Sequence, residues 1–425
     1  MLAALCFATV LAIALGSYLT VCYRTLALSS RSAQDTHSIE LAETGMEEAL
    51  WALNKNDWST WTIAGTTANK TLSGFSFESG STGTISLTVT SYDGSAGTRT
   101  VTVTGTTQAT DGTSVSRTLS STSAQAPLFV NAVAATTSNV VFSSAGTADS
   151  YDSSLGTYAS QTPTYSAVIA STATAPTAAT VQLVNAQIKG YVASNYSGGP
   201  SYSTSGRVYG PTTPVATKID TTRVSTSPYQ PIFSIKTISG SGTTLSNPTL
   251  NSTTTIGNAA DTVPAIYYSS GLDLRGTTKI IVDGPVRLVV SGNFYVGLTS
   301  ATTAQIEIST NGSLEVFAGN DIAIYAGGIN NLTKDPRRLA IYSNNTLTVP
   351  DMNTATAFYG VIYTPAGCFT VASNNAIYGS IVAKKVSFTG SAPVIHYDLR
   401  LRQTVFGGID TPYAISDWRE SINGS

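Results

Sequence analysis

Charge, histidine and cysteine are all scarce in this chain. Of 425 residues, 22 are Lys or Arg and 24 are Asp or Glu, which is 11% of the chain with a formal net charge of −2. That is less than half the roughly 25% usual in globular domains. Highly charged disorder is therefore disfavoured, and so is a nucleic-acid partner held on a basic face. His37 and His396 are the two imidazoles, and Cys6, Cys22 and Cys368 are the three thiols. A zinc centre built from His and Cys needs three or four such ligands in one place. Cys6 and Cys22, if helical, stand roughly 24 Å apart at about 1.5 Å per residue, beyond disulfide reach. No disulfide framework, metal centre or cofactor is expected. Cys368 reads as a small buried apolar side chain, with a nucleophile paired to His396 as the other option.

Serine and threonine fill the space that charge leaves. They number 118, with 36 Gly and 16 Pro. Thr, Val and Ile suit strands, while Gly, Asn and Ser suit the turns between them. A large, mainly β protein of two or more folding units is expected at this length.

An uncharged and largely apolar run opens the sequence, from Met1 to Tyr23, before Arg24. Its large apolar residues are Leu2, Leu5, Phe7, Val10, Leu11, Ile13, Leu15, Leu19 and Val21. As a helix it is long enough to cross a hydrocarbon core of about 30 Å. A cleaved secretory signal is the rival reading, but the run lacks a basic n-region and exceeds the usual h-region of about 7–15 residues. From Thr25 to Asn54 there is no proline. Ile39, Ala42, Met46, Ala49, Leu50 and Leu53 recur at spacings of three and four, an apolar stripe that predicts a helix docked on a folded domain. Glu40, Glu43 and Glu47 fall on another face and read as solvated. Together the two segments predict one helix of about 50 residues and roughly 80 Å.

Beyond Gly74 the period changes to two. Ile85, Leu87 and Val89 alternate with polar residues, as do Val101 and Val103 after a turn at Tyr92 to Gly97. Asp111-Gly112 marks another turn before Val115, Arg117 and Leu119. This is the pattern of an antiparallel meander with one face on the helix. Near the C-terminus a 19-residue repeat brings Ala357-Phe358-Tyr359-Gly360-Val361-Ile362 back as Ala376-Ile377-Tyr378-Gly379-Ser380-Ile381. Tyr359, Tyr378 and Tyr397 keep the same step. Fixed self-similarity of this length suggests stacked coils that bury their apolar residues on one another. Looser copies around Ile280–Val290 and Ile306–Ile324, and an echo at Ala186–Val192, extend the pattern. The expected fold is therefore mainly β with one long N-terminal α-helix, an antiparallel meander packed on the helix, then a parallel β-helix (solenoid), with a β-sandwich as the alternative. The expected divisions are 1–55 for the helix, 56–126 for the meander head, 127–403 for the β-helix and 404–425 for a C-terminal capping segment.

Candidate chemistry is sparse. A glycosidase needs two carboxylates about 5–10 Å apart in a groove, and Asp149 with Asp152 is the best local pair, followed by Asp398 beside His396. In their turn-forming context the first two read as turn caps, and His396-Tyr397-Asp398 as the closure of the last coil. Lys334, Arg337 and Arg338, and the pair Lys384-Lys385, read as solvated turn charges. No catalytic or metal residue is assigned and no enzyme activity is expected.

The run Leu41-Ala42-Glu43-Thr44-Gly45-Met46-Glu47-Glu48-Ala49-Leu50-Trp51 resembles the N-terminal helix of minor pilins of the PilX type in bacterial type IV pilus assembly. The resemblance implies insertion in the inner membrane, packing of the apolar half-helix among other pilin subunits, and a β-rich head carried to the cell surface or an extracellular filament. Position 5 holds Leu5, where such helices carry a Glu that pairs with a neighbouring N-terminus. A second set, Asp149 to Gly156, Ala376 to Thr389, Ile395 to Asp398 and Asp417 to Glu420, resembles β-helical domains that follow pilin-type helices in bacterial surface proteins. The function these imply is a structural subunit whose head serves adhesion, with a surface glycan or cell-surface ligand as its partner and no nucleic acid. The alternative is an envelope-anchored, carbohydrate-active β-helix enzyme.

Overall fold

A computed structural model describes residues 2–78, 80–92, 98–173, 180–196, 199–214, 217–226, 230–297, 303–345 and 351–422. The protein is mainly β with one long N-terminal helix and many short strands. Two units separate: residues 1–126 with 412–425, and residues 127–411.

Helix α1 spans Leu2–Lys55 without a break. No proline interrupts it, and its hydroxyls bond back to its own carbonyls, as when Thr20 Oγ1 donates to Gly16 O at 2.8 Å. The helix stops at Asn56, whose φ of 51° is left-handed, a conformation Asn tolerates at helix C-termini. Strands β1 (Thr62–Ala64), β2 (Thr67–Ser76), β3 (Thr82–Thr90), β4 (Arg99–Gln108) and β5 (Ser114–Gln125) follow as an antiparallel meander. The turn at Asp111 has Thr113 N donating to Asp111 Oδ1 at 2.9 Å. Residues 93–97 of the other turn named above lie outside the described residues.

The period-two pattern sends Ile85, Leu87, Val89, Val101, Val103 and Leu119 to one face, all buried. They meet Leu41, Ala42, Met46, Ala49, Ala52 and Leu53 of α1. Ile39 and Leu50, in the same stripe, are half-buried. The contact is close because glycine lies on both sides of it. A Cβ at Gly45 would come within 2.4 Å of Val103 Cγ1, and one at Gly105 within 2.2 Å of Ser38 O and 2.7 Å of Ala42 N. Gly105→Ala should therefore force helix and strand apart and cost about 1–3 kcal/mol. A lower melting temperature, together with faster amide exchange over 38–53, would show it. An unchanged melting temperature would mean the two elements are less tightly apposed.

The helix charges are not all solvated. Glu48 Oε1 accepts from Lys70 Nζ at 2.6 Å, and Asp35 accepts from Arg117 Nε and Nη2 at 2.6 and 2.5 Å. Those hydrogen bonds hold the Asp35 carboxyl below its usual value of 3.8. A folded pKa lowered in this way contributes stability above pH 3.8 that is lost as pH falls below it. Acid titration should loosen the α1–β5 contact in that window, and Asp35→Asn should abolish that part of the pH dependence of exchange at the helix.

The last strand, Tyr413–Ile422, differs in place from the expected capping segment. It pairs antiparallel with β5, Tyr413 opposite Gln125 and Ile422 opposite Arg117, and completes a six-stranded sheet. Asn54 Oδ1 accepts from Tyr413 N at 2.7 Å, and Arg99 covers the Tyr413 ring at 4.2 Å. β5 would otherwise end the meander with an open edge, and an unpaired edge favours the nearest available strand. The second unit is thus inserted in the chain between two neighbouring strands of the first, with Ala126 N donating to Pro412 O at 3.0 Å where the chain leaves and returns.

The second unit is built from parallel ladders. One joins Ala265–Ser269, Pro285–Val290, Ser313–Ala318, Leu339–Ser343 and the first halves of Phe358–Val371 and Ala376–Phe388. A second begins at Leu272–Leu274 and passes through Phe294–Val296, Ile322–Ala326 and Asp351–Thr354 to the second halves of the same long strands. A third stacks Thr253–Ile256, Lys279–Val282, Gln305–Ile308 and Gly328–Asn331. Pro285–Val290, Lys279–Val282 and Gln305–Ile308 alternate buried and half-buried residues, while Leu339–Ser343 is buried throughout, and their buried Val, Ile and Leu side chains join one continuous core.

Rung order is not sequence order. Ala376–Phe388 pairs on its far side with Val133–Ala135 and Val140–Phe142, and Val394–Asp398 pairs with Thr147–Tyr151. Ala167–Ser171, Val181–Leu183 and Gln187–Ser194 then continue the stack. The strand with His396, Tyr397 and Asp398 therefore lies inside the stack rather than closing it, because the N-terminal part of the unit supplies the next rung. Lys384 and Lys385 likewise sit within a strand rather than a turn. Cys368 is half-buried, less enclosed than its small apolar character suggested.

Candidate membrane or filament helix and the tyrosine ladder

Residues 2–33 of α1 are exposed throughout. Leu2, Leu5, Phe7, Val10, Leu11, Ile13, Leu15, Leu19 and Val21 each show more than half of their surface, and so do Tyr18, Tyr23, Leu26 and Leu28. By length and composition this helix is apolar enough to cross a membrane. At about 1.5 Å per residue, residues 2–23 cover roughly 33 Å. Thr9, Thr20 and Thr25 satisfy their hydroxyls on carbonyls three or four residues earlier, so these three side chains bring no unpaired hydroxyl to an apolar surround. The exposed apolar surface runs on past Arg24 to Leu28. Leu26 and Leu28 lie beyond Arg24, outside the uncharged run, and no local pattern in the sequence marked them.

On the second unit, rings stack across adjacent rungs. Tyr359 and Tyr378 lie 4.2 Å apart and 6° from parallel. The next ring is not Tyr397. Tyr378 pairs in register with His396, and their rings stand 4.7 Å apart. The repeat shortens here from 19 residues (359 to 378) to 18 (378 to 396), and with a period of two a one-residue slip sends the neighbouring side chain to the other face. Tyr397 is fully buried, its hydroxyl donating to Phe129 O at 2.7 Å. Tyr158 covers the end of the stack, 3.7 Å from His396. Burial pushes the Tyr359 phenol up to about 12 and that of Tyr158 higher still, so both stay neutral at ordinary pH.

The carboxylates near this ladder are engaged. Asp149 is 1% exposed. Its Oδ2 accepts from Tyr158 Oη at 2.8 Å and its Oδ1 lies 2.5 Å from His396 Nδ1. It is therefore a buried partner of two rings and not the turn cap its sequence context suggested; the rung that brings it to His396 is invisible locally. Asp152 does cap a turn, its Oδ1 accepting from Ser154 N at 2.9 Å. Asp398 Oδ1 accepts from Ser153 N and Arg400 N, both at 3.1 Å. Asp149 and Asp152 thus present no free carboxylate pair to a sugar. Lys334 and Arg338 are exposed, while Arg337 is half-buried and donates to both oxygens of Asp335 at 2.9 and 2.6 Å. Among the described residues no three of His, Cys, Asp or Glu stand together as a metal site would need.

Gly360 and Gly379 give the ladder its closeness. Gly379 has φ of 146°, and a Cβ there would lie 1.8 Å from Gly360 O. Tyr378→Ala should leave the rungs paired but remove the ring contacts to Tyr359, His396, Tyr158 and Tyr151, each worth about 0.5–1.5 kcal/mol beyond area. Chemical denaturation of the second unit measures it, and an unchanged midpoint would reduce the stack to a bystander.

A family model described as a domain of unknown function (DUF7305) matches residues 234–404. Among curated proteins no match is found. Among solved structures, the competence-associated pilin ComZ from Thermus thermophilus aligns over 92% of this chain and 98% of its own, at 9% identity and a TM-score of 0.20. A superposition that loose does not establish a common fold, and the matched family covers less than half of the chain.

Proposed function

We propose that this protein is a pilin-like structural subunit of a bacterial type IV pilus or related assembly system. The observation that carries the reading is the division of α1: residues 2–33 are uncovered and largely apolar, while the residues from Gln34 to Leu53 dock on a six-stranded sheet. A lone helix of that kind needs lipid or other helices around it. The inner membrane holds the subunit before assembly, and neighbouring pilin helices take over the same surface in a filament. The PilX-like run from Leu41 to Trp51 supports this order of helix and head. In this reading the ladders of the second unit form a parallel β-helix of the kind that follows pilin helices, displayed outside the cell for adhesion. No enzymatic role is proposed, since Asp149 and Asp152 serve ring and turn contacts.

The test is fractionation with cross-linking. Wild-type chain should sediment with membranes or sheared filaments, and a cysteine-reactive probe at Cys6 or Cys22, both exposed on the helix, should link it to a second pilin. A chain recovered wholly in the soluble fraction, with no helix cross-links, would sink the reading.

A further inference from the structure

The two ends of the ladder stack differ. At one end the outer rung includes Arg207–Tyr209, and the segment 217–223 folds over it: Val208 N donates to Lys218 O at 2.9 Å and Asp220 N to Val208 O at 2.8 Å. That cover carries Lys218, Asp220 and Arg223. At the other end the outer strands are Thr243–Thr244, paired with Ala265–Ser269, and Thr253–Ile256, paired with Lys279–Val282. No described strand pairs with their outer edges.

The direction of those edges follows from the ladder. Ser252 O and Ile256 O accept from Lys279 N and Asp283 N at 2.8 and 2.9 Å. Backbone groups alternate sides along a strand, so Thr253 and Thr255 point their N–H and C=O groups outward. Open edges are normally blunted by charge or by a covering segment, as 217–223 does at the far end. Here the chain from Thr237 to Ala260 has no charged residue. The Thr253 and Thr255 side chains are exposed, and Leu250 on the same end is 61% exposed.

We propose that this end is an interface between two copies of the chain, with Thr253–Ile256 pairing antiparallel to itself across a two-fold axis. A two-fold contact sets residue i of one copy against residue j of the other and j against i, with only residues on the axis meeting themselves, and an edge of Thr, Ser and Asn without charge can face its own copy there with no like-charge repulsion. The covered far end blocks head-to-tail stacking, so the contact closes at two copies instead of running into a fibre. Threonines opposite one another across the axis pair favourably.

The experiment uses the full chain in detergent micelles, with amide hydrogen exchange and sedimentation over a protein concentration range of about 100-fold. Exchange at Thr253 and Thr255 should slow as concentration rises. The double variant Thr253→Lys/Thr255→Lys should raise the dissociation constant at least tenfold. Thr255→Pro, which removes an outward donor and no ladder bond, should do the same while the amides of 279–282 stay protected. Association that persists in both variants while the amides of 279–282 stay protected would place the contact elsewhere on the chain and overturn the proposal. So would protection of Thr253 and Thr255 that is the same at every concentration, or that arises only when another protein is added.

Discussion

Leu11→Arg is expected to remove the protein from the membrane fraction. On the insertion scale Leu, Ile, Phe and Val each contribute about 0.3–0.6 kcal/mol at a helix centre, so the nine large residues of the run supply roughly 3–5 kcal/mol. One Arg at the centre costs about 2.5–3.5 kcal/mol on the same scale. Leu11 lies midway along the uncharged run, too deep for easy snorkelling of the guanidinium. The substitution therefore cancels most of the insertion energy, a shift in partition of about 100-fold at 1.4 kcal/mol per factor of ten. Deleting residues 2–23 should go further and release the chain completely. Leu26→Arg, beside Arg24 and on the aqueous side of the run, should change partition little. Equal effects at positions 11 and 26 would mean that the helix does not sit in a bilayer as a span.

Gly379→Ala is expected to unfold the second unit or prevent its folding. Two penalties fall on one atom. The backbone φ of 146° lies where L residues are strained, at about 1–3 kcal/mol. The new Cβ would also stand 1.8 Å from Gly360 O, a backbone atom that no rotamer change moves aside. Relief requires the rungs at Tyr359 and Tyr378 to separate, which breaks the ladder on both sides of Gly379. Gly190 gives a comparison on another rung: φ is 157° and its Cβ would lie 2.0 Å from Ala167 O, so Gly190→Ala should fail for the same reason. By contrast Gly112→Ala, with an open surround, should incur only the backbone strain. Circular dichroism melts or proteolysis of the three variants would rank them, and a Gly379→Ala chain as stable as Gly112→Ala would contradict the close approach of the rungs.

The two predictions rest on information of different range. The helix was legible because everything that makes it is local. Absence of proline, an uncharged run of membrane length and a three-and-four stripe define α1 from Leu2 to Lys55, and alternation defines β3 and β4. The stripe named Ala42, Met46, Ala49 and Leu53, all buried, but passed over Gly45 and Ser38, because a glycine or serine carries no hydrophobic signal and earns its place only from what lies across the interface.

The second unit shows the limit more sharply. The Tyr-Gly repeat was visible, including the strands it defines at Phe358–Val371 and Ala376–Phe388, yet extending the 19-residue step put Tyr397 where His396 stands. A one-residue change in loop length leaves composition and alternation intact and reverses which side chain faces the core. The pairing of Val394–Asp398 with Thr147–Tyr151, the burial of Asp149 beside His396, and the return of Tyr413–Ile422 to β5 all join residues hundreds of positions apart. Sequence by itself determined the apolar helix, the meander and the presence of repeating strands, because those follow from propensity and periodicity. Only the tertiary structure decided rung order, the occupant of the third ring position and the partner of the last strand, because parallel and edge pairings are chosen by long-range packing that no local pattern encodes.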